Sequence, residues 1–297
     1  MEKRPVSMRQ IAKECGCSVA TVSYALNRSS QAKISSATRL RIIETAKRLN
    51  YSPSRMGTLR PARALILIGA CPGDTANRRT VLLDLAWHLG QCLREQEIVG
   101  LTLEVSDLSA QWAQIQSLQP DLLFMLDYNS QAVSQLDPPC VQPIIFLDSN
   151  ESDPLYYKVL PDYPSLLRLA AQRLDTQQLF LASESPLPRQ LLPGLAPEDC
   201  FFRGSGQSLS RFLASHRGRR GLVIGDLLAV EACTQFPAAD LAVLAALERP
   251  ALFPPELTVL SLPNRVRAAA AARTAWSLLS LDYDPEGSTL LLLEAEG

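Results

Sequence analysis

Residues 18–27, SVATVSYALN, combine lean apolar side chains with short side chains that form hydrogen bonds. A helix that enters a DNA major groove must carry small side chains near its start, because the groove is just wide enough for one α-helix. Val19 and Ala20 meet this requirement and can touch thymine methyl groups. The polar side chains able to reach phosphates or base edges are Ser18, Thr21, Ser23, Tyr24, Asn27 and the adjoining Arg28. The chemistry of this stretch favours DNA binding.

Three short helices are predicted to present these side chains. Gly16 is expected to end the first helix as a left-handed cap. The predicted helix caps are Ser7, with Gln10 as its capping-box partner, Ser18, and Ser35 or Ser36. Two short helices joined by a tight glycine turn, followed by a packing helix, make a helix-turn-helix. A three-helix bundle without a nucleic-acid role is the alternative.

The charge distribution favours the nucleic-acid interpretation. Residues 1–63 carry 13 lysines and arginines against three acidic residues, a net charge of +10, whereas the remaining residues carry −11. A basic head on an acidic body indicates a polyanionic partner for the head alone. Double-stranded DNA is therefore the predicted partner.

Other classes of function find little support in the composition. The first residues lack the apolar core of a signal peptide, and no apolar run approaches the length of a membrane span, so a cytoplasmic protein is expected. The seven cysteines are scattered, and the one-residue gap between Cys15 and Cys17 differs from zinc-site spacing. His88 and His216 belong to no recognisable catalytic triad or metal motif. We therefore predict no enzyme activity, no metal and no cofactor.

Residues 8–54 resemble the DNA-binding domain of the LacI/GalR (lactose-repressor) family of bacterial transcriptional regulators. The matching segments are Ile11-Ala12, Gly16, Ser18, Thr21-Val22-Ser23, Leu26-Asn27, Ala37-Thr38-Arg39 after Ser35/Ser36, and Asn50-Tyr51-Ser52-Pro53-Ser54. The resemblance implies a homodimeric regulator, a repressor, that binds a near-palindromic operator. It also implies that Val19, Ala20 and Tyr24 occupy the positions that choose the operator. Ser7 and Tyr51 are further candidate DNA contacts. Many members carry Arg at the position of Tyr24, so the operator sequence does not transfer.

The linker departs from the family pattern. The resemblance implies a hinge helix after Tyr51 that forms on DNA and ends in a leucine wedged into the minor groove. Leu59 is the candidate wedge, but it arrives one residue early, Gly57 lies within the segment and Pro61 follows. A flexible tether with Leu59 packed on the body is the alternative.

From residue 63 onward, short apolar runs alternate with amphipathic stretches, which predicts α/β architecture with two parallel sheets covered by helices on both faces. The family resemblance, weaker here, implies a two-lobed body like that of periplasmic sugar-binding proteins, shortened by some tens of residues. The predicted domains are a helix-turn-helix head (1–50), a hinge (51–62), an N-lobe (63–161 plus about 264–281) and a C-lobe (162–263 plus about 282–297).

A small-molecule effector, a sugar or sugar derivative, is expected in the cleft between the lobes, where loops follow the carboxyl ends of strands. The candidate ligands are Asp74, Asn77, Arg78, Asp127, Tyr128, Asp162, Arg189 and Asp226. Asp226 can instead be a helix N-cap. Leu191 occupies the position of a family arginine, and Arg189 is offset from it by two residues. Trp87, Trp276 and Tyr128 can be a sugar platform or core, with Trp276 expected in the core.

These departures leave a second interpretation open. The shortened body and the missing arginine keep open a regulator that binds DNA without an effector, or one whose cleft serves a protein partner. A secreted solute-binding protein does not fit the basic head.

Overall fold

The computed structural model describes residues 7–27, 34–49, 51, 61–69, 76–128, 130–137, 140, 142–149, 156–280, 282–283 and 287–297. The helices are α1 (Met8–Cys15), α2 (Val19–Asn27), α3 (Ser36–Arg48), α4 (Ala76–Glu95), α5 (Leu108–Ser117), α6 (Ser130–Ser134), α7 (Tyr163–Arg173), α8 (Leu209–Ser215), α9 (Asp226–Cys233) and α10 (Asn264–Leu279). The strands are β1 (Arg63–Gly69), β2 (Val99–Val105), β3 (Leu122–Leu126), β4 (Ile144–Leu147), β5 (Tyr157–Pro161), β6 (Leu179–Ser183), β7 (Cys200–Phe202), β8 (Arg220–Ile224), β9 (Leu241–Ala245), β10 (Thr258–Ser261) and β11 (Leu290–Leu293).

The head is the predicted three-helix unit. Ser7 caps α1 by accepting a hydrogen bond from the backbone amide of Gln10, and Gly16 ends the helix at a φ of 60°. An L-residue with a side chain rarely adopts this φ, so the turn between α1 and α2 requires glycine. Ser35 caps α3 through the amide of Thr38, with an N···O distance of 3.2 Å. The predicted caps of α1 and α3 are confirmed.

Two parallel sheets follow the head. The first has six strands in the order β11-β5-β4-β3-β1-β2, and the second has five in the order β10-β9-β8-β6-β7. Every residue of β3, β6 and β9 is buried. Continuously apolar strands bury both faces, and a parallel sheet with helices on each side satisfies that need. The predicted α/β architecture with two parallel sheets is confirmed.

The chain divides into two compact units. The first comprises Met1–Ala70, Ala86–Val159 and Ala268–Leu291, and the second comprises Cys71–Leu85, Leu160–Arg267 and Leu292–Gly297. The final strand, assigned from sequence to the second lobe, extends the first sheet instead. There the amide of Lys158 donates to the carbonyl of Thr289 over 2.8 Å. The chain thus returns to the edge left open beside β5.

Each unit has its own apolar core. Trp112 and Phe146 are packed in the first, and Phe180 and Phe212 form an edge-to-face pair in the second, with ring centroids 5.6 Å apart. Trp276 was expected in a core, but 52 % of its surface is exposed. None of the helices in the described part of the chain has the length and apolar character that a membrane crossing requires.

Candidate DNA-binding surface and ligand-binding edge

Helix α2 has one buried and one exposed face. Val22, Ala25 and Leu26 are buried against α1 and α3 in the core of the head. On the other side Val19 is 42 % exposed and Ala20 is exposed. A valine left this exposed contributes only part of its apolar area to the core of the head. The exposed face is the one that sequence chemistry assigned to DNA.

The start of α2 is fixed by two hydroxyl groups. Ser18 Oγ accepts a hydrogen bond from the amide of Thr21 at 3.0 Å, and the hydroxyls of Ser18 and Thr21 lie 2.8 Å apart. The predicted N-cap is confirmed. Ser23 and Tyr24, further along the helix, are half-buried. The first turn of α2 therefore presents ordered hydroxyls beside the lean residues Val19 and Ala20.

Tyr51 is in a different environment from the one assumed for a DNA contact. It is 4 % exposed and packs in the core of the head, where its amide donates to the carbonyl of Ala46 over 2.8 Å. Burial raises the pKa of its hydroxyl to about 12. A ring enclosed in this way cannot face a groove, so we now assign Tyr51 a packing role.

Polar side chains gather at the carboxyl edge of the second sheet. Glu184 follows β6 and Arg203 follows β7, and Arg203 Nε donates to Glu184 Oε2 over 2.8 Å. Arg203 also forms an ion pair with Glu231 of α9. Burial raises the pKa of the Glu184 carboxyl, and the guanidinium of Arg203 opposes that effect. Glu184 Oε1 is buried and has no hydrogen-bond partner among the described residues.

Asp226 lies at the same edge but is engaged with the backbone. Its two carboxylate oxygens accept hydrogen bonds from the amides of Ala246 and Leu247, both at 3.0 Å, and the residue is 0 % exposed. Burial raises the pKa of this carboxyl, while the amide hydrogen bonds oppose the change. Gly225 is the N-cap of α9, so the predicted N-cap role of Asp226 is wrong. Asp226 thus stabilises the loop after β9 through these hydrogen bonds. Neither of its carboxylate oxygens is exposed to an effector.

A basic group lies near this edge within the second unit. Arg267 is 4 % exposed, and its Nη1 donates to Asn264 Oδ1 over 3.0 Å. Asn264 in turn donates to Asp84 Oδ2 over 2.9 Å. Burial, together with repulsion from the nearby Arg78, lowers the pKa of Arg267 to about 9. Arg78 also lies close enough to Glu184 to favour its ionised form.

Comparison with known proteins identifies the head. Residues 7–54 match the model of a family described as bacterial regulatory proteins, lacI family. The chain carries a lacI-family helix-turn-helix domain. The matched residues include the exposed face of α2 and the Ser18 cap described above. No curated protein matches the chain by sequence.

The fold extends this likeness beyond the lacI-family head. The lac repressor bound to ONPG in its repressed state is similar with a TM-score of 0.58 and 18 % identity, covering 98 % of each chain. The complex of the regulator CelR with cellobiose has a TM-score of 0.55 at 16 % identity, again over 98 % of each chain. A lacI-family regulator from Silicibacter pomeroyi has a TM-score of 0.52 at 19 % identity, covering 98 % of this chain and 97 % of that one. The chain has the periplasmic-binding-protein-like fold of these regulators.

The remaining effector candidates occupy varied positions. Asp162 caps α7, and both its oxygens accept from Ser165, at 3.1 Å from the amide and 2.6 Å from the hydroxyl. Tyr128 donates its hydroxyl to the carbonyl of Val105 over 3.1 Å, and the adjoining Asp127 has a φ of 64°. Arg189 is exposed on a 3-10 turn, with its Nη1 3.6 Å from Cys200 Sγ.

Several predicted residues cannot be placed. Asp74, Arg28 and Leu59 lie outside the described residues, and so do the side chains of Asn77 and Asn27. Asp127 and Tyr128 belong to the first unit, whereas Arg78, Asp162, Arg189 and Asp226 belong to the second.

Sequence reasoning missed Glu184 and Arg203. Each directly follows a buried strand of the second sheet, the position that identified the other candidates. Glu184 also lies over Gly225, whose φ is 127°. Gly225, the last residue of the segment GLVIG, was a usable signal in the sequence, because a glycine directly after a strand permits close approach by another group.

Proposed function

We propose that the protein is a sequence-specific DNA-binding transcriptional regulator that acts as a repressor and binds a near-palindromic operator as a homodimer. The exposed face of α2, within a segment that matches the lacI family, carries this proposal. A two-fold dimer places its two recognition helices in successive major grooves, so a two-fold operator follows from the symmetry.

The proposed contacts divide into base-reading and backbone-positioning groups. Val19, Ala20 and Tyr24 read base edges. The proposed backbone contacts are Ser7, Ser18, Thr21, Ser23, Asn27 and Arg28, with Leu59 as a minor-groove wedge. Phosphate contacts made by the basic head set the salt dependence of binding, because each releases bound counterions.

The central experiment is selection of bound fragments from a genomic DNA library with the full-length protein at moderate salt. Enrichment of a near-palindromic sequence is expected. If the protein instead binds every fragment with equal affinity, and that affinity falls steeply with salt, the head binds the DNA backbone without sequence specificity.

Exposed apolar side chains on α4 support self-association. Leu83 and Trp87 are one helical turn apart and are 40 % and 60 % exposed. Side chains at positions i and i+4 share a helix face, so the two form one apolar surface. A homodimer would remove this surface from water.

The effector part of the proposal rests on the carboxyl edge of the second sheet. The buried Oε1 of Glu184 is an unused acceptor among the described residues, and a hydroxyl of a sugar or sugar derivative would satisfy it. Arg78, Asp162 and Arg189 belong to the same unit as Glu184, and Asp74 and Asn77 are proposed with them. Asp127 and Tyr128 remain proposed contacts from the first unit.

The alternative is a regulator that binds DNA without an effector. Two observations favour this second function. Arg203 forms ion pairs with Glu184 and Glu231. The carboxylate of Asp226 accepts hydrogen bonds from backbone amides. Thermal melts with a panel of neutral sugars, sugar acids and nucleobases separate the two. An effector raises the melting temperature of the wild type and not of Glu184→Gln, whereas the alternative shows no shift with any compound.

A further inference from the structure

The first unit contains the head and the first sheet, and a side chain from near the end of the chain joins them. The hydroxyl of Tyr283 donates a hydrogen bond to the carbonyl of Leu26 over 3.0 Å, and the Tyr283 ring packs against the apolar core of the head. Leu26 is in the last turn of α2. Tyr283 is therefore bonded to the helix that carries the proposed DNA-reading residues.

The carbonyl of Leu26 is a group that α2 cannot satisfy by itself. The last four carbonyls of an α-helix have no partner within the helix, and α2 ends one residue later, at Asn27. The partial negative charge at the C-terminal end of a helix makes such a carbonyl a good acceptor. The hydroxyl of Tyr283 thus caps α2 from outside the head.

Tyr283 is itself held in place by its surroundings. The amide of Asp282 donates to the carbonyl of Ser277 in α10 over 2.8 Å, and the hydroxyl of Ser277 donates to the carbonyl of Asp282. These two bonds tie the backbone next to Tyr283 to the end of α10. The ring of Tyr157, the first residue of β5, meets the Tyr283 ring edge to face with centroids 6.5 Å apart. The first unit therefore presents the hydroxyl of Tyr283 from a fixed position.

The contact lies at the end of α2 that is remote from the proposed base-reading residues. Val19 and Ala20, in the first turn, remain exposed. Leu26 is about 10 Å further along the helix axis, at a rise of about 1.5 Å per residue. A recognition helix contacts base edges with its N-terminal residues. Docking on Tyr283 thus leaves the reading face open, which favours positioning of the head over inhibition of DNA binding.

The linker sequence gives this contact a purpose. Gly57 lies in the middle of the linker, and glycine disfavours a helix, so a hinge helix is harder to form than in a linker without it. A head on a flexible tether samples many positions and loses that freedom when it binds an operator. A direct bond between the head and the rest of the first unit removes part of this freedom before DNA binds.

We propose that Tyr283 is a positioning residue for operator recognition. It docks the C-terminal end of α2 on the first unit and so fixes the separation of the two heads in a dimer. This contact then sets the spacing of the operator half-sites that the dimer accepts. The spacing role rests on the proposed function as a dimeric DNA-binding regulator, whereas the docking of the head does not.

Nuclear magnetic resonance relaxation of backbone amides in the full-length protein without DNA tests the docking. In the wild type the amides of the head should relax at the rate set by the slow tumbling of the whole protein. Tyr283→Phe keeps the ring and removes the hydrogen bond, so it should lower the docking equilibrium constant by about fivefold. Tyr283→Ala also removes the ring and should release the head further, with slower transverse relaxation. Head amides that relax alike in the wild type and in Tyr283→Ala would overturn the docking.

Operators with one base pair inserted between the half-sites test the spacing role. The insertion changes both the distance and the rotation between the half-sites, so one head must leave its docked position to bind. The loss of affinity on insertion should therefore be about fivefold smaller for Tyr283→Phe than for the wild type. The matched control is Tyr156→Phe, which removes a hydroxyl from a ring that packs on Phe146 in the core of the first unit. It should behave as the wild type does.

Three results would overturn the spacing role. The first is an equal loss on insertion in Tyr283→Phe and the wild type. The second is tighter binding of the original operator by Tyr283→Phe, because docking would then oppose DNA binding. The third is equal weakening on operator and unrelated DNA with a smaller salt dependence, which would make Tyr283 a phosphate contact. A wild type that prefers no operator would refute the proposed function together with the spacing role, and the relaxation measurement would still decide the docking.

Discussion

Glu184 and Gly225 meet in the second unit at a distance that allows no side chain on residue 225. A Cβ placed on Gly225 would lie 2.6 Å from Glu184 Cγ, and the φ of 127° is itself strained for any other residue. The two residues follow the neighbouring strands β6 and β8, so their contact sets how the carboxylate of Glu184 is presented.

Gly225→Ala should therefore lower the free energy of unfolding by about 2 kcal/mol or more, from backbone strain together with the displacement of Glu184. Urea unfolding measures the loss. Gly194→Ala is the matched control, because Gly194 has a φ of 79° with nothing within 4 Å of the added Cβ. Equal losses in the two variants would show that the contact with Glu184 contributes nothing.

Ser18→Ala should weaken binding to all DNA sequences and should destabilise the head by about 1 kcal/mol, because it removes the cap of α2. Ser35→Ala removes the equivalent cap of α3 and should cost similar stability. Fluorescence anisotropy with operator and unrelated DNA, paired with thermal melts, separates the effects. Should Ser35→Ala impair DNA binding as much as Ser18→Ala, the proposed phosphate contact of Ser18 would be refuted.

Tyr24→Arg should change which operator is preferred, since an arginine favours guanine where a tyrosine does not. Selection from a randomised DNA library, performed in parallel on the two proteins, measures the preference. Tyr24→Phe tests the hydroxyl alone. If Tyr24→Arg selects the same sequence as the wild type, Tyr24 faces away from the bases.

Glu184 should make a pH-dependent contribution to stability. Its pKa is raised in the folded protein above the ordinary glutamate value of 4.5, chiefly by burial. The folded state then holds a proton more tightly than the unfolded state, so this contribution is fully present below the unfolded pKa and is lost as pH rises through the folded pKa. Subtracting the pH–stability profile of Glu184→Gln from that of the wild type isolates it. A difference that rises with pH across this interval would contradict the assignment.

Trp87→Glu should shift the protein from dimer to monomer at micromolar concentration, because it places a charge on the apolar face of α4 that a homodimer would bury. Sedimentation velocity reports the mass. Trp276→Glu, at another exposed tryptophan, should leave the dimer intact. A monomeric wild type would refute the dimer, and a dimeric Trp87→Glu would move the interface away from α4.

Local signals in the sequence were sufficient for the head. A cap, a left-handed glycine and an apolar face are each set by residues within a few positions of one another, and Ser18, Gly16 and Val22 behave as those signals predict. The alternation of apolar strands with helices likewise indicated parallel sheets, because a strand buried on both faces is apolar throughout.

Contacts between distant residues needed the tertiary structure. Tyr283 and Leu26 are separated by 257 positions, and no pattern along the chain relates them. Asp226 looked equally suited to a ligand or a cap, but the loop after β9 occupies both of its oxygens. Trp276 followed a helical period and is nevertheless exposed. Periodicity along the sequence identifies the helices and strands. The order of strands in a sheet decides which loops lie side by side, and therefore which buried oxygens, such as Oε1 of Glu184, have no hydrogen-bond partner among the described residues.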